Sequence, residues 1–317
     1  MTRAGALFVV LCLLMLCDLS SGAGPVGAQC VTAQEFDANK IIWKSLTFKA
    51  ESFFGTVKND IQIKIMPVSK SEQFFITSPT GQVLNVAGPD LFSISVLSVI
   101  EPIIGASEYI NSQAWYDPKP ATVMQRTRLR QGKEKWQKTY RFTNKGVFRL
   151  RKKPDNMDET RMSPERWTNR EGSYYPYGVQ NDGCLRVLEP SILLYLASFI
   201  DPGGKEAPLS LCVFNKKQLH QVFIHKAGVN RLKVNYIARS GEREVHRMEE
   251  IETLKLVSKS RSLVAPNEEA EPFSFLGLKG DFDIYIDKAS RIPVQVSGRV
   301  PIVGRTDFQL REIRLID

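Results

Sequence analysis

Three arginines recur at every second position of one predicted strand and form the clearest charged pattern in the chain. They are Arg126, Arg128 and Arg130, and Lys133 and Lys135 follow in the next predicted strand. Because the side chains of a strand alternate between its two faces, the three guanidinium groups lie on one face. The pattern predicts a cationic ladder for an anionic ligand. The alternative is a solvent-exposed sheet face that is rich in lysine and arginine.

A second candidate contact region is the segment 152–183, which is charged, contains three prolines and has no usable hydrophobic period. It predicts a long surface loop or partial lid, because loops longer than about 15 residues are uncommon unless they are functional or disordered. Aromatic side chains in such a loop either grip a sugar or a lipid edge or anchor the loop itself. The aromatic residues considered are Trp167, Tyr174, Tyr175 and Tyr177.

Two carboxylates and a tyrosine near the C-terminus have the side-chain types needed for acid–base chemistry on a glycan. Asp283, Tyr285 and Asp287 alternate with apolar residues in a predicted strand and share its wet face. The Cα atoms of the two aspartates would lie about 13 Å apart in an extended strand, which is too far for a glycosidase pair. Asp287 also stands at a predicted turn, where aspartate is structurally favoured.

Other catalytic and metal-binding signals are few. The chain contains three histidines, of which His220 and His225 lie five positions apart in a predicted strand and therefore point to opposite faces. We find no nucleophile elbow, phosphate-binding loop, dinucleotide-binding glycine motif or zinc-protease motif. We therefore predict a non-enzymatic protein with no cofactor and no metal site.

Three cysteines lie beyond residue 28, at Cys30, Cys184 and Cys212. Cys184 and Cys212 flank one predicted helix and are the candidate disulfide pair, which an oxidising compartment permits. Sequence alone leaves their geometry and connectivity open. Their spacing fits no zinc-binding pattern.

Most of the chain predicts short antiparallel strands, and residues 58–60 and 226–228 are predicted turns between them. Pro79-Thr80-Gly81 predicts a tight hairpin that leads into residues 83–86, and the Gln131-Gly132 pair predicts the turn of a second hairpin. Alternation of apolar and polar residues favours strands at 41–54, 61–66, 73–77, 83–86, 121–130, 133–142, 147–151, 209–214, 219–225, 231–239 and 245–257, and two or three more within 282–314.

Two segments predict helices. Residues 191–200 are apolar nearly all round, with Ser191 as a candidate N-cap. Residues 90–104 are favoured as a helix that begins at Asp90, although a buried strand would look much the same. The predicted fold is mainly β, a curled antiparallel sheet or partial β-barrel with one or two buried helices.

Residues 1–28 predict a secretory signal peptide, with Arg3 before an apolar stretch and a small-residue pattern at 26–28. A linker at 29–40 and a single β-rich domain at 41–317 would follow, and the periplasm is the predicted location. One alternative is an uncleaved N-terminal anchor. Another is lipid anchoring through Cys30, although Gln29 stands where a small residue is required.

The formal net charge is +9 in a chain of 317 residues, and no second apolar run reaches membrane length. We therefore expect no transmembrane span in the mature chain. For an exported protein, this charge favours anionic lipid, lipopolysaccharide or an acidic glycan as partner rather than nucleic acid. A solvated basic surface without a partner is the alternative.

Three blocks of the chain resemble a family of exported bacterial proteins called domain of unknown function 3108. They are the strands at 45–66 with Phe54-Gly55-Thr56, the predicted helix at 190–196, and the block 283–304. The resemblance implies an envelope location and a β-rich fold. The family has no established catalytic residues, so none is assigned here. The segment 152–183 and the acidic loop before Phe273 depart from the family's compact form.

Three hypotheses for the function follow. The first is binding of a lipid-like or other amphipathic envelope ligand by a sheet that is curled around an apolar helix. The second is a structural or adaptor role in envelope assembly, through a protein partner that recognises the long loop or an exposed strand edge. The third is an enzyme acting on glycans or lipids, which would need side chains that converge from distant strands.

Overall fold

The computed structural model describes residues 42–118, 122–178, 184, 186–200, 208–264 and 269–316. The expectations for the signal peptide, the linker and Cys30 lie outside these residues. The described strands, in chain order, are β1 (Trp43–Ser52), β2 (Gly55–Pro67), β3 (Asp90–Pro102), β4 (Glu108–Asp117), β5 (Thr122–Gln131), β6 (Trp136–Phe142), β7 (Gly146–Lys153), β8 (Asn169–Pro176), β9 (Val187–Leu188), β10 (Leu209–Asn215), β11 (Gln218–Ser240), β12 (Arg243–Ser262), β13 (Ser274–Phe275), β14 (Leu278–Asp287), β15 (Pro293–Val300) and β16 (Gly304–Leu315). The α-helices in these ranges are α1 (Val68–Ser71) and α2 (Leu193–Ala197), and 3₁₀ turns lie at Glu72–Phe74, Glu159–Arg161, Pro164–Arg166 and Pro190–Ile192.

The strands form one curled sheet, as predicted. Its order is β8–β7–β6–β5–β4–β3–β2–β1–β16–β15–β14–β12–β11–β10–β9, with β13 paired to β14. The last residues of β11 also pair in parallel with β16. Phe214, near one end of this order, packs against rings near the other end, at Tyr140, Phe142 and Tyr175. These contacts bring the two ends of the sheet together around a shared interior.

The direction of the strands brings several turns to one end of the sheet, which we call the upper end. Antiparallel pairing along β15, β16, β1, β2, β3 and β4 puts the β15–β16, β1–β2 and β3–β4 turns at the same end. The same pairing along β14, β12 and β11 puts the β13–β14 and β10–β11 turns there as well. The upper end is therefore where loops from distant parts of the chain meet.

A short helical segment fills the interior. The 3₁₀ turn at Pro190–Ile192 leads into α2, all of whose residues are buried. The ring of Tyr195 packs edge-on against Phe92 and Phe199. The predicted helix at 191–200 is therefore present, but it is shorter, and Glu189 rather than Ser191 caps it by accepting a hydrogen bond from the Ser191 amide.

The prediction of a helix at 90–104 is wrong, because this segment is strand β3, paired with both β2 and β4. The sequence of β3 shows no alternation of apolar and polar residues at its start, because both faces of the strand are buried there. Phe92 and Ile94 face the main interior, whereas Leu91 packs with Trp115 and Met124 on the other face. The segment around α1 covers that second face, and its apolar residues are Val68, Phe75, Leu84 and Val86.

Several predicted boundaries in the first half are also wrong. Residues 73–77 and 83–86 do not form strands, apart from one isolated bridge between Val83 and Thr143. Residues 58–60, predicted as a turn, lie within β2, and β4 was not predicted. Polar residues at 58–60 are compatible with a strand here because their side chains alternate between the interior and the outer face.

Two predicted loop regions contain strand. Residues 169–176 within the predicted loop 152–183 form β8, because they pair with the edge of β7. The predicted turn at 226–228 is instead a bulge within the continuous strand β11. In both places backbone pairing overrides a weak local pattern.

The C-terminal strands β14, β15 and β16 follow the prediction closely, including the turn after Asp287. The expected wet face of β14 is wrong, because Asp283 and Tyr285 are both 8% exposed. Lys255 and Arg305 neutralise Asp283, with nitrogen–oxygen distances of 3.1 and 2.6 Å. A buried carboxylate between two cations is here an ion pair of the sheet.

Candidate functional site

The interior contains a cavity of about 230 Å³ near the upper end. Strands β2 to β5 form one wall, and the Pro190–Ile192 turn, the β10–β11 turn and the β13–β14 hairpin enclose the rest. Polar and apolar side chains both reach this space. The lining residues used below are Val57, Asn59, Val96, Ile100, Ile110, Ser112, Arg126, Arg128, Ser191, Asn215, Lys216, Phe275, Leu276 and Gly277.

Arg126 is at the foot of the predicted arginine ladder and has a carboxylate partner. Its Nε lies 3.1 Å from Oε2 of Glu189, whose side chain is fully buried. The same Nε donates a hydrogen bond of 3.1 Å to Ser112. Arg126 is therefore neutralised by the chain itself.

Glu189 is held by donors from two elements. Its Oε1 accepts from the Tyr116 hydroxyl at 2.8 Å and from the Ser191 amide at 2.7 Å, and also from the Ser191 hydroxyl. Burial, and next the negative charge of Glu189, raise the pKa of Tyr116 well above its usual value. The tyrosine therefore stays protonated and keeps donating to the carboxylate.

Arg130 is at the upper end of the ladder and is also paired. One guanidinium nitrogen donates to both oxygens of Glu108, at 2.8 and 2.6 Å. A second nitrogen lies 3.4 Å from Glu134 on the adjoining turn. Arg130 therefore belongs to a partly exposed ion-pair cluster at the upper end.

Arg128, between these two, has no carboxylate partner among the described residues. Its guanidinium lines the cavity, its Nε is buried without a hydrogen-bond partner, and its Cζ lies 5.7 Å from the ring centre of Trp136. Burial, and next the charge of Arg126, lower the pKa of Arg128 to about 10. The side chain still carries its charge at neutral pH, so the cavity contains a cation that makes no ion pair with a described carboxylate.

Two further cations continue the row from Arg128 across the sheet. Arg128 is paired in register with Lys138 of β6, and Lys138 with Arg151 of β7. We call these three residues the basic row. Lys138 has no carboxylate partner within the described ranges and lies 4.4 Å from the ring centre of Trp136. Burial, and next the charges of Arg151 and Arg128, lower the pKa of Lys138 to about 8.

The β13–β14 hairpin closes the upper side of the cavity. Its two-residue turn has positive φ at Leu276 and Gly277, of 51° and 91°, which is the geometry of a tight hairpin turn. The Asn59 side chain donates to the carbonyl of Leu276 at 3.4 Å, and Asn215 donates to that of Ser274 at 2.6 Å. Side chains from β2 and β10 therefore hold the hairpin over the cavity.

The four aromatic residues predicted as contacts do not form one exposed cluster. Trp167 is 2% exposed and donates a hydrogen bond of 2.9 Å to the carbonyl of Glu159, so it anchors the loop. The Tyr174 hydroxyl lies 3.2 Å from the Thr143 hydroxyl. Tyr175 packs against Phe214 in the interior, with the Arg149 guanidinium 5.4 Å from its ring centre. Burial raises the pKa of Tyr177.

The histidines form no common site. His220 is buried against Phe273, and burial lowers its pKa to about 4. The exposed His246 ring lies 2.7 Å from Oδ1 of Asn235. Over the residues that the structure describes, no three histidine, cysteine, aspartate or glutamate side chains are grouped closely enough to bind a metal ion.

Cys184 and Cys212 are joined by a disulfide, with their Cα atoms 5.6 Å apart. The bond ties the segment before β9 to strand β10, next to the helical segment in the interior. It therefore restrains the backbone on both sides of the Pro190–Ile192 turn, which lines the cavity.

The spacing of the arginines predicted that they share a face, but the sequence did not identify the carboxylate that neutralises Arg126 or the cations that extend the row from Arg128. Glu189 and Tyr116 are 73 positions apart, so no local pattern links them. Placing Lys138 and Arg151 on the same face as Arg128 requires the register of β5, β6 and β7, which the sequence does not supply. The one usable signal was the alternation of Lys138, Tyr140 and Arg149 with their neighbours.

None of the described helices has the length and apolar character needed to cross a bilayer. No protein-family model and no curated protein sequence matches the chain. A solved structure that the chain matches is a β-barrel-like protein of domain of unknown function DUF1849 from Brucella abortus. It is 4% identical in sequence, with a TM-score of 0.43, and the match covers 87% of this chain and 99% of that one.

Proposed function

We propose that this protein is a non-enzymatic binding protein for a small amphipathic anion, which it holds in the interior cavity. The observation that carries the proposal is Arg128, a cation that lines the cavity without a carboxylate partner among the described residues. The Arg128 side chain is partly buried and its Nε has no hydrogen-bond partner. A charge that is withdrawn from water without a counterion is costly, and an anion in the cavity would offset that cost.

The basic row supplies the electrostatic part of the site. Arg128 lines the cavity, and Lys138 is its neighbour on the adjacent strand, outside the lining residues, so both attract an anion that enters. A carboxylate or phosphate headgroup offers the oxygen acceptors that a guanidinium binds best. Lys216 reaches the same space from the opposite side, where it also pairs with Glu271 at 3.2 Å. Arg126 and Arg130 contribute less because Glu189 and Glu108 already neutralise them.

The apolar part of the site is the wall next to the basic row. Val57, Val96, Ile100, Ile110 and Phe275 line the same cavity as Arg128. Its volume of about 230 Å³ is below the range of about 300–1,000 Å³ that is typical of drug-sized ligands. We therefore infer a short acyl chain, or one end of a longer chain that leaves through the upper end.

We also propose that the protein is exported and acts in the cell envelope. The leader pattern at residues 1–28 supports export, and the Cys184–Cys212 disulfide is of a kind that persists in oxidising compartments. Membership of the domain of unknown function 3108 family remains a proposal that rests on the three blocks quoted above. Intact mass of the protein purified from its native host tests export: a chain that begins at Gln29 supports it, and retention of residues 1–28 contradicts it.

Calorimetric titration of detergent-free protein with octyl phosphate, octanoate and octylamine tests the binding proposal. The three probes share one alkyl chain and differ in the charge of the headgroup. We expect the two anions to bind, and Arg128→Gln to weaken them by about tenfold or more because a charge-assisted hydrogen bond is lost. Arg247→Gln, at an exposed arginine paired with Glu249, is the matched control and should bind normally. Equal binding of octylamine, or no binding of either anion, would overturn the proposal.

A second candidate function, as an adaptor, is favoured by the open edge of β12. Residues 253–258 of β12 pair with β14, whereas no described strand pairs with that edge along residues 243–251. Val245 and Met248 are exposed on this stretch. A partner could add a strand here, although alternating charges such as Arg247 and Glu249 are also what protects free edges from aggregation.

Site-specific photo-crosslinking in envelope extracts tests the adaptor function. A crosslinker at Val245 should give one reproducible partner, and one at the exposed Val229 on the neighbouring strand β11 should not. Identical adducts at both positions, or none at either, would exclude strand addition at this edge.

A further inference from the structure

Three hairpin turns present large apolar side chains to solvent at the upper end. They are the β1–β2 turn with Phe53 and Phe54, the β3–β4 turn with Ile103 and Ile104, and the β15–β16 turn with Ile302. Phe53, Ile104 and Ile302 are 86%, 90% and 93% exposed, which is unusual for three large apolar residues at one end of a protein. We call these five residues the apolar tips.

The apolar tips belong to one continuous surface. Residues of all three turns line a single open groove of about 680 Å³, together with Pro102 and Pro301. The Ile103 amide donates a hydrogen bond of 3.2 Å to the Phe54 carbonyl, which joins the first two turns. Their backbones also approach closely, since a Cβ at Gly55 would lie 2.2 Å from the Glu101 carbonyl oxygen. The backbones of the β1–β2 and β3–β4 turns are therefore packed directly against each other beneath the apolar tips.

The groove adjoins the interior cavity. Val57, Ile100 and Gly277 line both spaces. An apolar chain that leaves the cavity at the β13–β14 hairpin would therefore meet the apolar tips before it reached water.

Cations flank the apolar tips. Lys279, Arg299 and Arg305 form a row across β14, β15 and β16, one step below the turn that carries Ile302, and all three are exposed. Arg305 also pairs with Asp283, so Lys279 and Arg299 supply most of the charge of this row. Lys133 lies on the β5–β6 turn at the same end. Glu101 is the acidic residue among those that line the groove. Apolar side chains beside a cationic row match a bilayer with anionic headgroups.

We propose that the apolar tips dock this protein on the surface of an anionic lipid bilayer. Phe and Ile side chains would enter the boundary between headgroups and acyl chains, and the cationic row would lie among the headgroups. In this orientation the groove, and beyond it the cavity, face the membrane. Docking itself does not require a ligand in the cavity, so it can be tested separately from ligand binding.

Sedimentation with phospholipid vesicles tests the docking surface. We expect the protein to bind vesicles of equal parts phosphatidylglycerol and phosphatidylcholine. Binding should be weaker to vesicles of pure phosphatidylcholine, and weaker to the mixed vesicles when the salt concentration is high. The triple variant Phe53→Ser, Ile104→Ser and Ile302→Ser should lose about tenfold or more in vesicle affinity, because the inserted apolar area is removed. These side chains are exposed, so its thermal unfolding should resemble that of the wild type.

The matched control replaces three exposed apolar residues elsewhere, Met157→Ser, Val229→Ser and Met248→Ser, and should bind vesicles normally. Wild-type protein that stays in the supernatant would overturn the proposal. Equal loss in the two triple variants would also overturn it. The wild-type protein could instead fail to bind vesicles and form a dimer that the tip substitutions dissociate. That result would assign the surface to a second copy of this chain. Titration of the tip variant with octyl phosphate distinguishes the docking proposal from the ligand-binding proposal. A variant that no longer docks on vesicles should still bind octyl phosphate with unchanged affinity.

Discussion

The Nε of Arg126 lies 3.1 Å from Oε2 of Glu189, and the Glu189 side chain is fully buried between the sheet and the helical segment. This pair joins β5 to the interior 3₁₀ turn and leaves Arg128, two positions along the same strand face, without a carboxylate partner among the described residues. The two neighbouring arginines therefore differ in their contacts: Arg126 is held in an ion pair of the fold, and Arg128 is the cation that we propose binds the ligand.

The first prediction concerns that pair. Glu189→Gln keeps the shape of the side chain but leaves the Arg126 guanidinium, whose side chain is 14% exposed, without a counterion. We expect the free energy of unfolding in urea to fall by about 3 kcal/mol, since breaking a buried ion pair leaves an uncompensated charge. Glu249→Gln breaks an exposed pair with Arg247 and should cost less than about 1 kcal/mol. Equal effects of the two substitutions would contradict the assigned role of Glu189.

The second prediction concerns the pH dependence of anion binding. The pKa of Lys138 is lowered to about 8, because it is buried and lies near Arg151 and Arg128. Lys138 is charged below this pH and neutral above it, so affinity for octyl phosphate should fall as the pH rises through about 8. The probe does not titrate in this range, since the second pKa of a phosphate monoester is about 6.

Calorimetric titration at about pH 7 and about pH 9 measures this change, and Lys138→Met is the decisive variant. It should bind octyl phosphate more weakly at the lower pH and lose the pH dependence. If the variant kept the wild-type pH profile, another group would be responsible for the pH dependence and Lys138 would not contact the anion.

Several strands could be located from the sequence because apolar residues recur in them at every second position. The hairpin of β5 and β6 and the C-terminal strands β14 to β16 lie where strands were predicted, although the hairpin turn spans residues 132–135 and Asp283 and Tyr285 of β14 are buried. Prediction from hydrophobic alternation failed at β3, because the adjacent residues Leu91 and Phe92 are both buried, in two different hydrophobic clusters. It also failed at β8, whose strand conformation depends on pairing with β7 rather than on its own side chains.

The site was less predictable than the fold, because its defining property is an imbalance between residues that are far apart in sequence. The spacing of Arg126, Arg128 and Arg130 predicts that they share a face. It does not predict that Glu189 and Glu108 neutralise two of them, or that the third lines a cavity. Those relationships arise from the curl of the sheet and from the position of the helical segment.

The third prediction concerns stability at mildly acidic pH. Burial lowers the pKa of His220 to about 4 from a usual value of 6.5, so the unfolded chain binds a proton that the folded chain excludes between these values. Its contribution to stability is therefore complete above pH 6.5 and is lost as the pH falls towards about 4. We expect a loss of about 3 kcal/mol from this residue, since each pKa unit corresponds to about 1.4 kcal/mol.

Urea unfolding across that pH range measures the effect. His220→Phe preserves the ring packing against Phe273 and should flatten this part of the profile. His246→Asn, at an exposed position, should leave the profile as it is. A wild-type slope that survives in His220→Phe would assign the acid sensitivity to other groups.

The last prediction concerns the disulfide between Cys184 and Cys212, which closes a loop with a sequence separation of 28 residues. In the chain-entropy account, a loop of this length stabilises the folded state by about 3.5 kcal/mol, because the cross-link restricts the unfolded chain. The double variant Cys184→Ser and Cys212→Ser should lose that amount in urea unfolding, and adding a reductant should lower the wild-type midpoint but not the variant's. Because the loop contains the Pro190–Ile192 turn that lines the cavity, octyl phosphate should also bind the variant more weakly at temperatures where both proteins are folded. Unchanged affinity together with reduced stability would mean that the disulfide supports the fold alone and that Glu189 and its donors suffice to position the turn.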